Sequence, residues 1–122
     1  MRGVIICLCL LLILVVGIYI NHKYVYSVHD EITELLSKIE YQENEEKLKT
    51  VNEMQMLWHT KSKLLRFSVS YVDIGKVQTS LDSLYISILY NNETQEAISI
   101  KNLERAINDI VRFEAISLGN IL

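Results

Sequence analysis

Val4-Ile5-Ile6-Cys7-Leu8-Cys9-Leu10-Leu11-Leu12-Ile13-Leu14-Val15-Val16-Gly17-Ile18-Tyr19-Ile20 is a run of seventeen residues with no charge and no proline. Thirteen of them are Leu, Ile or Val. At roughly −0.3 to −0.6 kcal/mol for each such residue, the run favours insertion into a bilayer by about 4–8 kcal/mol. As a helix rising about 1.5 Å per residue it spans roughly 26 Å, slightly short of a hydrocarbon core of about 30 Å. Tyr19, Asn21, His22 and Lys23 make up the difference, with an aromatic ring at the interface and an ammonium group snorkelling to water. Residues 1–22 therefore read as a transmembrane anchor, and residues 23–122 as a helical domain held at the bilayer surface.

Two other readings compete for the run. A cleaved signal peptide has an apolar core of about 7–15 residues that ends in small residues of the A-x-A kind, and Gly17-Ile18-Tyr19-Ile20-Asn21-His22 offers no such pair. A core helix of a soluble protein carries a polar stripe, and this run has none. Orientation is nearly balanced, because Arg2 precedes the run while Lys23 and Lys38 follow it. With the short amino-terminal tail inside, the helical domain is expected outside the cytoplasmic membrane.

About a hundred residues remain after the anchor, enough for one hydrophobic core and no second domain. The net charge of −3 is mild and the charges alternate in sign, which argues against nucleic acid as a partner. Both cysteines, Cys7 and Cys9, lie in the apolar run. The domain thus has no disulfide and no thiolate metal site, a composition that suits either face of the membrane.

Proline is absent and only Gly75 and Gly119 follow the anchor, so long helices are expected. Val25, Val28, Ile32, Leu35 and Ile39 form a helical stripe. That helix leaves the anchor without a break, unless Ser27-Val28-His29-Asp30 caps a new start. The stripe lapses at Tyr41-Gln42-Glu43-Asn44-Glu45-Glu46, a turn, and resumes at Leu48, Val51, Met54, Leu57, Trp58, Leu64 and Leu65. Lys61, Lys63 and Arg66 fall late in this second helix and suit its carboxyl-terminal dipole. Their spacing describes a solvated face rather than a single patch for anionic lipid.

Ser70-Tyr71-Val72-Asp73 has the form of a capping box, ahead of Ile74, Val77, Leu81, Leu84 and Ile88. Asn92 with Gln95 caps a fourth helix that carries Ala97, Ile100, Leu103, Ile107, Ile110 and Val111, with Gly119 at its end. The fold class is all-α: an anchor followed by four antiparallel helices, arranged as two hairpins in a tetratricopeptide-like stack or a bundle. A shift of 49 residues aligns the two hairpins, Val25 on Ile74 through Tyr41 on Tyr90 and Trp58 on Ile107. Because 49 is seven heptads, heptad patterning alone produces much of that match.

Candidate chemistry is sparse. His22, His29 and His59 include no pair at the spacing of a metal site. No glycine-flanked serine suggests a nucleophile, and neither cofactor nor metal is expected. Three residues stand out as interaction or core anchors: Trp58, amid aliphatic neighbours at helical spacing; Asp73, in the capping box; and Glu114, on the inner stripe after Ile107 and Ile110.

Trp58, Val77-Gln78-Thr79-Ser80-Leu81-Asp82, Tyr90-Asn91-Asn92-Glu93-Thr94-Gln95-Glu96-Ala97 and the ending Glu114-Ala115-Ile116-Ser117-Leu118-Gly119-Asn120-Ile121-Leu122 together carry a resemblance. The chain resembles, over nearly its whole length, the bacterial family called domain of unknown function 4363, small single-span proteins of spore-forming Gram-positive bacteria. Where that family has a His-Glu-Ile-Asp-like step before the third helix, this chain has Ser70-Tyr71-Val72-Asp73, so a shared catalytic role for the step is doubtful. The resemblance implies a membrane-anchored helical protein. The expected function is a non-enzymatic interaction or accessory module with a protein partner in the membrane. The alternative is an extracytoplasmic ligand-binding, sensor-like bundle that acts through a partner.

Overall fold

With so few residues able to end a helix, four helices account for most of the chain. In the computed structural model they are α1 (Arg2–Ile39), α2 (Asn44–Leu65), α3 (Tyr71–Leu89) and α4 (Glu93–Ile121). The structure describes residues 1–66 and 69–112 in full, together with the helical backbone of 113–121. No strand occurs among the described residues.

The anchor and the first helix of the domain are one element. α1 runs unbroken for 38 residues, roughly 57 Å, so the boundary drawn at residues 22 and 23 falls inside a helix. Ser27-Val28-His29-Asp30 does not restart it: nothing between Ile18 and Ile39 is a glycine or proline, and the ladder of backbone hydrogen bonds has no reason to open. α1 is long and apolar enough to cross a membrane, and none of its apolar window is buried against the rest of the chain. From Val25 onward the same helix enters the core.

Short turns at residues 40–43 and 90–92, and the five-residue step from Leu65 to Tyr71, set successive helices antiparallel. Each helix packs on two others, in the ring order α1, α2, α3, α4 and back to α1. That closing contact decides between the two architectures. In a tetratricopeptide-like stack the first and last helices are separated by the layers between them, whereas here α4 lies against α1 and the protein is a closed four-helix bundle. Closure follows from the stripes, because four one-sided helices bury all their apolar faces only when they surround a common axis.

The core is Val25, Val28, Ile32, Leu36 and Ile39 of α1, Val51, Met54, Trp58 and Leu65 of α2, Ile74, Val77, Leu81, Leu84 and Ile88 of α3, and Leu103, Ala106, Ile107 and Ile110 of α4. The stripes read from the sequence need three corrections. Leu36 is buried and Leu35 only partly so, Leu64 is exposed, and Ala97 is exposed while Ser99 is buried. Among the described residues, five with hydroxyl groups face inward: Thr50, Ser62, Ser80, Ser87 and Ser99. Their own helix satisfies several of them. Ser80 Oγ donates to the Lys76 carbonyl at 2.8 Å and Ser87 Oγ to that of Leu84 at 2.7 Å, which removes most of the cost of burying a hydroxyl.

The two hairpin turns use different chemistry. Asn91 has φ of +55°, a left-handed conformation that asparagine accepts more readily than most residues. It allows the Asn92 N–H to donate to the Ser87 carbonyl at 2.8 Å and the Asn91 N–H to that of Ile88 at 3.1 Å, satisfying carbonyls the ended helix leaves open. Asn92 then caps α4, its Oδ1 accepting from the Gln95 N–H at 3.1 Å. The first turn has no left-handed residue. It closes with Gln42 Oε1 accepting from Thr50 Oγ1 at 2.8 Å. The shift of 49 residues therefore aligns the buried faces while the turns differ. α4 also continues past Gly119 to Ile121, so that glycine does not mark its end.

Gly75 has no strained backbone and nothing within 4 Å of where a Cβ would stand. Gly75→Ala is therefore expected to stabilise the bundle by about 0.4–1 kcal/mol, through the smaller entropy of the unfolded chain. A rise in the denaturant midpoint at unchanged slope would show it.

Candidate functional site

Because α1 links the apolar segment to the bundle, the bundle has a near end, beside residues 21–26, and a far end at the turns after α1 and α3. The far end is a polar cap. Lys47 of α2 donates to both carboxylate oxygens of Glu96 of α4, at 3.0 and 3.2 Å, with the two side chains 16% and 14% exposed. α2 and α4 are diagonal in the ring, so this pair reaches across the mouth of the bundle. Asn44 Nδ2 donates to Asn91 Oδ1 beside it, and a cavity of about 50 Å³ lies among Asn44, Lys47, Ser87, Asn92 and Glu96. Around the cap, Tyr41 and Tyr90 are 89% and 76% exposed, and Glu40, Glu43, Glu45, Glu46 and Glu93 face solvent. Exposed tyrosines present a large apolar area with a polar tip, the residue chemistry of protein interfaces.

Two grooves run along the sides. One, of about 480 Å³, lies between α3 and α4 and is lined by Gly75, Lys76, Thr79, Asn102, Arg105 and Asp109 among others. The other, of about 310 Å³, is lined by Glu31, Glu34, Leu35, Lys38, Glu53 and Leu57.

The near end is held by aromatic contacts. Tyr24 Oη donates to the Lys61 carbonyl at 3.1 Å, and the Lys61 ammonium lies 5.5 Å from the centre of the Tyr24 ring. Within α1, Lys23 sits similarly, 5.8 Å from Tyr19, and the His22 ring lies tilted against Tyr26 with centroids 4.5 Å apart. Burial, and after it the Glu31 carboxylate, raises the Tyr24 phenol above its usual pKa, which keeps it a donor. Between the ends, His29 Nε2 contacts Asn108 Oδ1 at 2.8 Å and joins α1 to α4.

Of the residues singled out in the sequence, Trp58 is 1% exposed and belongs to the core. Asp73 does a local job: its N–H donates to Ser70 Oγ at 3.2 Å, and its carboxylate lies 4.0 Å from Lys76 Nζ. The Glu114 side chain lies outside the described residues. The structure does not gather these three into one site. No cluster of three metal-ligating side chains occurs among the described residues. The helical stripes carry no mark of the far-end cap; its one signal in the sequence is that Lys47 and Glu96 occupy matched positions 49 apart with opposite charges.

No family model, curated protein or solved structure matches the chain. Its class rests on its own architecture, a closed four-helix bundle carried on one long apolar helix.

Proposed function

We propose that the chain is a single-span membrane protein whose bundle is a non-enzymatic interaction module. The apolar half of α1 crosses a bacterial cytoplasmic membrane, the bundle stands outside it, and the far end meets a protein partner in that membrane. The observation that carries this reading is the unbroken α1: Val25, five residues beyond Ile20, is already a core residue. Cleavage just after Ile20 would put a new, fraying amino terminus a few residues from that core residue, inside the helix that packs there, so continuity favours an anchor that stays attached.

Retention has a direct readout. Protein extracted from membranes is expected to yield the tryptic fragment of residues 3–23, and a chain beginning after Ile20 would overturn the anchor. For orientation, Asn52→Cys and Thr94→Cys, both at exposed positions, are labelled by an impermeant thiol reagent on intact cells if the bundle is outside. Labelling only after permeabilisation places it inside. For the partner, a photo-crosslinking residue at Tyr41 or Tyr90 is expected to capture one and the same protein, and the same residue at Asn52 to capture none.

The groove between α3 and α4 supports a second reading, a sensor-like bundle. Lys76, Arg105 and Thr79 suit a small anionic ligand. α1 is the one helix among the described residues able to cross a membrane, so such a signal would pass through a partner. Recovery of uncrosslinked protein with a small molecule bound would favour this reading over the first.

A further inference from the structure

We propose that the near end of the bundle, the close of α2 and the first turn of α3, rests on anionic phospholipid headgroups of the bilayer that α1 crosses. This rests on the anchored reading above. The axial register carries it. α1 and α2 are antiparallel, and the bond from Tyr24 Oη to the Lys61 carbonyl sets residues 24 and 61 at one level. Five residues further toward the near end on each helix, Arg66 stands level with Tyr19, the last aromatic residue of the apolar run. The close of α2 is therefore set at the level where the apolar segment ends.

At that level the chain places Lys23, Lys61, Lys63 and Arg66, with no acidic residue in 19–26 or 61–66, and α3 adds Asp73 with Lys76 4.0 Å from it. Among them Leu64, Tyr71 and Val72 are exposed. Read along α2 alone, Lys61, Lys63 and Arg66 do not share a face. The fold changes that by adding Lys23 from α1 and arranging the cations around one end of the bundle. Cations mixed with exposed leucine, valine and tyrosine suit the headgroup layer, which supplies phosphate to the first and a partly apolar zone to the others.

Charge names the occupant. The acids Glu40, Glu43, Glu45, Glu46 and Glu93 lie at the far end, which is roughly 27 Å from the near end along α1. A second copy anchored in the same bilayer would set cations against cations at this level, with the Asp73 of its α3 already beside its own Lys76. Anionic lipid is a source of excess negative charge that the anchor itself brings to this height.

The test uses the full chain with Cys7→Ala and Cys9→Ala, spin-labelled at Leu12→Cys, Leu64→Cys or Tyr41→Cys. Vesicles of phosphatidylcholine are compared with vesicles that also contain phosphatidylglycerol, reading collisions with oxygen and with a water-soluble nickel complex. The Leu12 label is expected in lipid and the Tyr41 label in water. The Leu64 label is expected to lose most of its access to nickel in the anionic vesicles, and to regain it in high salt or with Lys23→Gln, Lys63→Gln and Arg66→Gln combined. A Leu64 label as accessible as the Tyr41 label, with Leu12 in lipid, overturns the proposal and leaves the anchor intact. A Leu12 label outside lipid overturns both. Shielding of Leu64 that ignores lipid charge and rises with protein density assigns the surface to a second copy and overturns the proposal.

Discussion

Trp58→Ala is expected to cost about 3–5 kcal/mol, the largest loss from any single truncation in the bundle. The indole is the largest of the fully buried side chains, and its removal leaves a void that four packed helices cannot close without moving their backbones. A domain of this size has about 5–15 kcal/mol of stability in all, so the variant would sit near the limit of folding. Denaturant unfolding in detergent, followed by circular dichroism because the variant lacks the chain's one tryptophan, reads the loss directly. Leu64→Ala, on the same helix at 56% exposure, is the control and should change stability by no more than about 0.5 kcal/mol. Equal costs for the two would show that Trp58 serves a surface, not the core.

The second large effect belongs to the far-end cap. Glu96→Ala leaves the Lys47 ammonium in a site that is mostly closed to water and has lost both of its carboxylate contacts. The expected cost is about 2–3 kcal/mol, below the 3–5 of a fully buried pair because some solvent reaches both groups. Lys47→Met combined with Glu96→Leu should recover much of that loss, since it removes the stranded charge and leaves apolar stems at the mouth of the bundle. A double-mutant cycle measures the coupling. Coupling near zero would mean that the pair is an ordinary surface contact, in which case the helices on that diagonal are held by the ring of neighbours alone.

Much of the fold is legible in the residues. The lack of proline, the scarcity of glycine and the four stripes give the helices and most of the core, because helical periodicity is a local property. The mistakes are equally local in origin. Leu36 rather than Leu35 faces inward because helical spacing admits either leucine and only the packing of α1 against α2 and α4 selects between them. Ser99 and Ser87 are buried because a hydroxyl bonded to a nearby carbonyl or a second hydroxyl loses its polar cost, which a residue-by-residue hydropathy reading does not count. Asp73 was visible as a capping residue, and the structure gives it that local job.

The sequence by itself determined that an apolar helix starts the described chain, that helices follow it, and roughly where they turn. Each of those features follows from neighbours within a few residues. Only the tertiary structure decided that α1 is one rigid element, that the helices close into a bundle and not a stack, and that Lys47 meets Glu96 across its mouth. It also decided that Lys23 joins Lys61, Lys63 and Arg66 around one end. Those outcomes depend on which faces meet and at what axial level, and residues on different helices acquire a common level only when the helices pack.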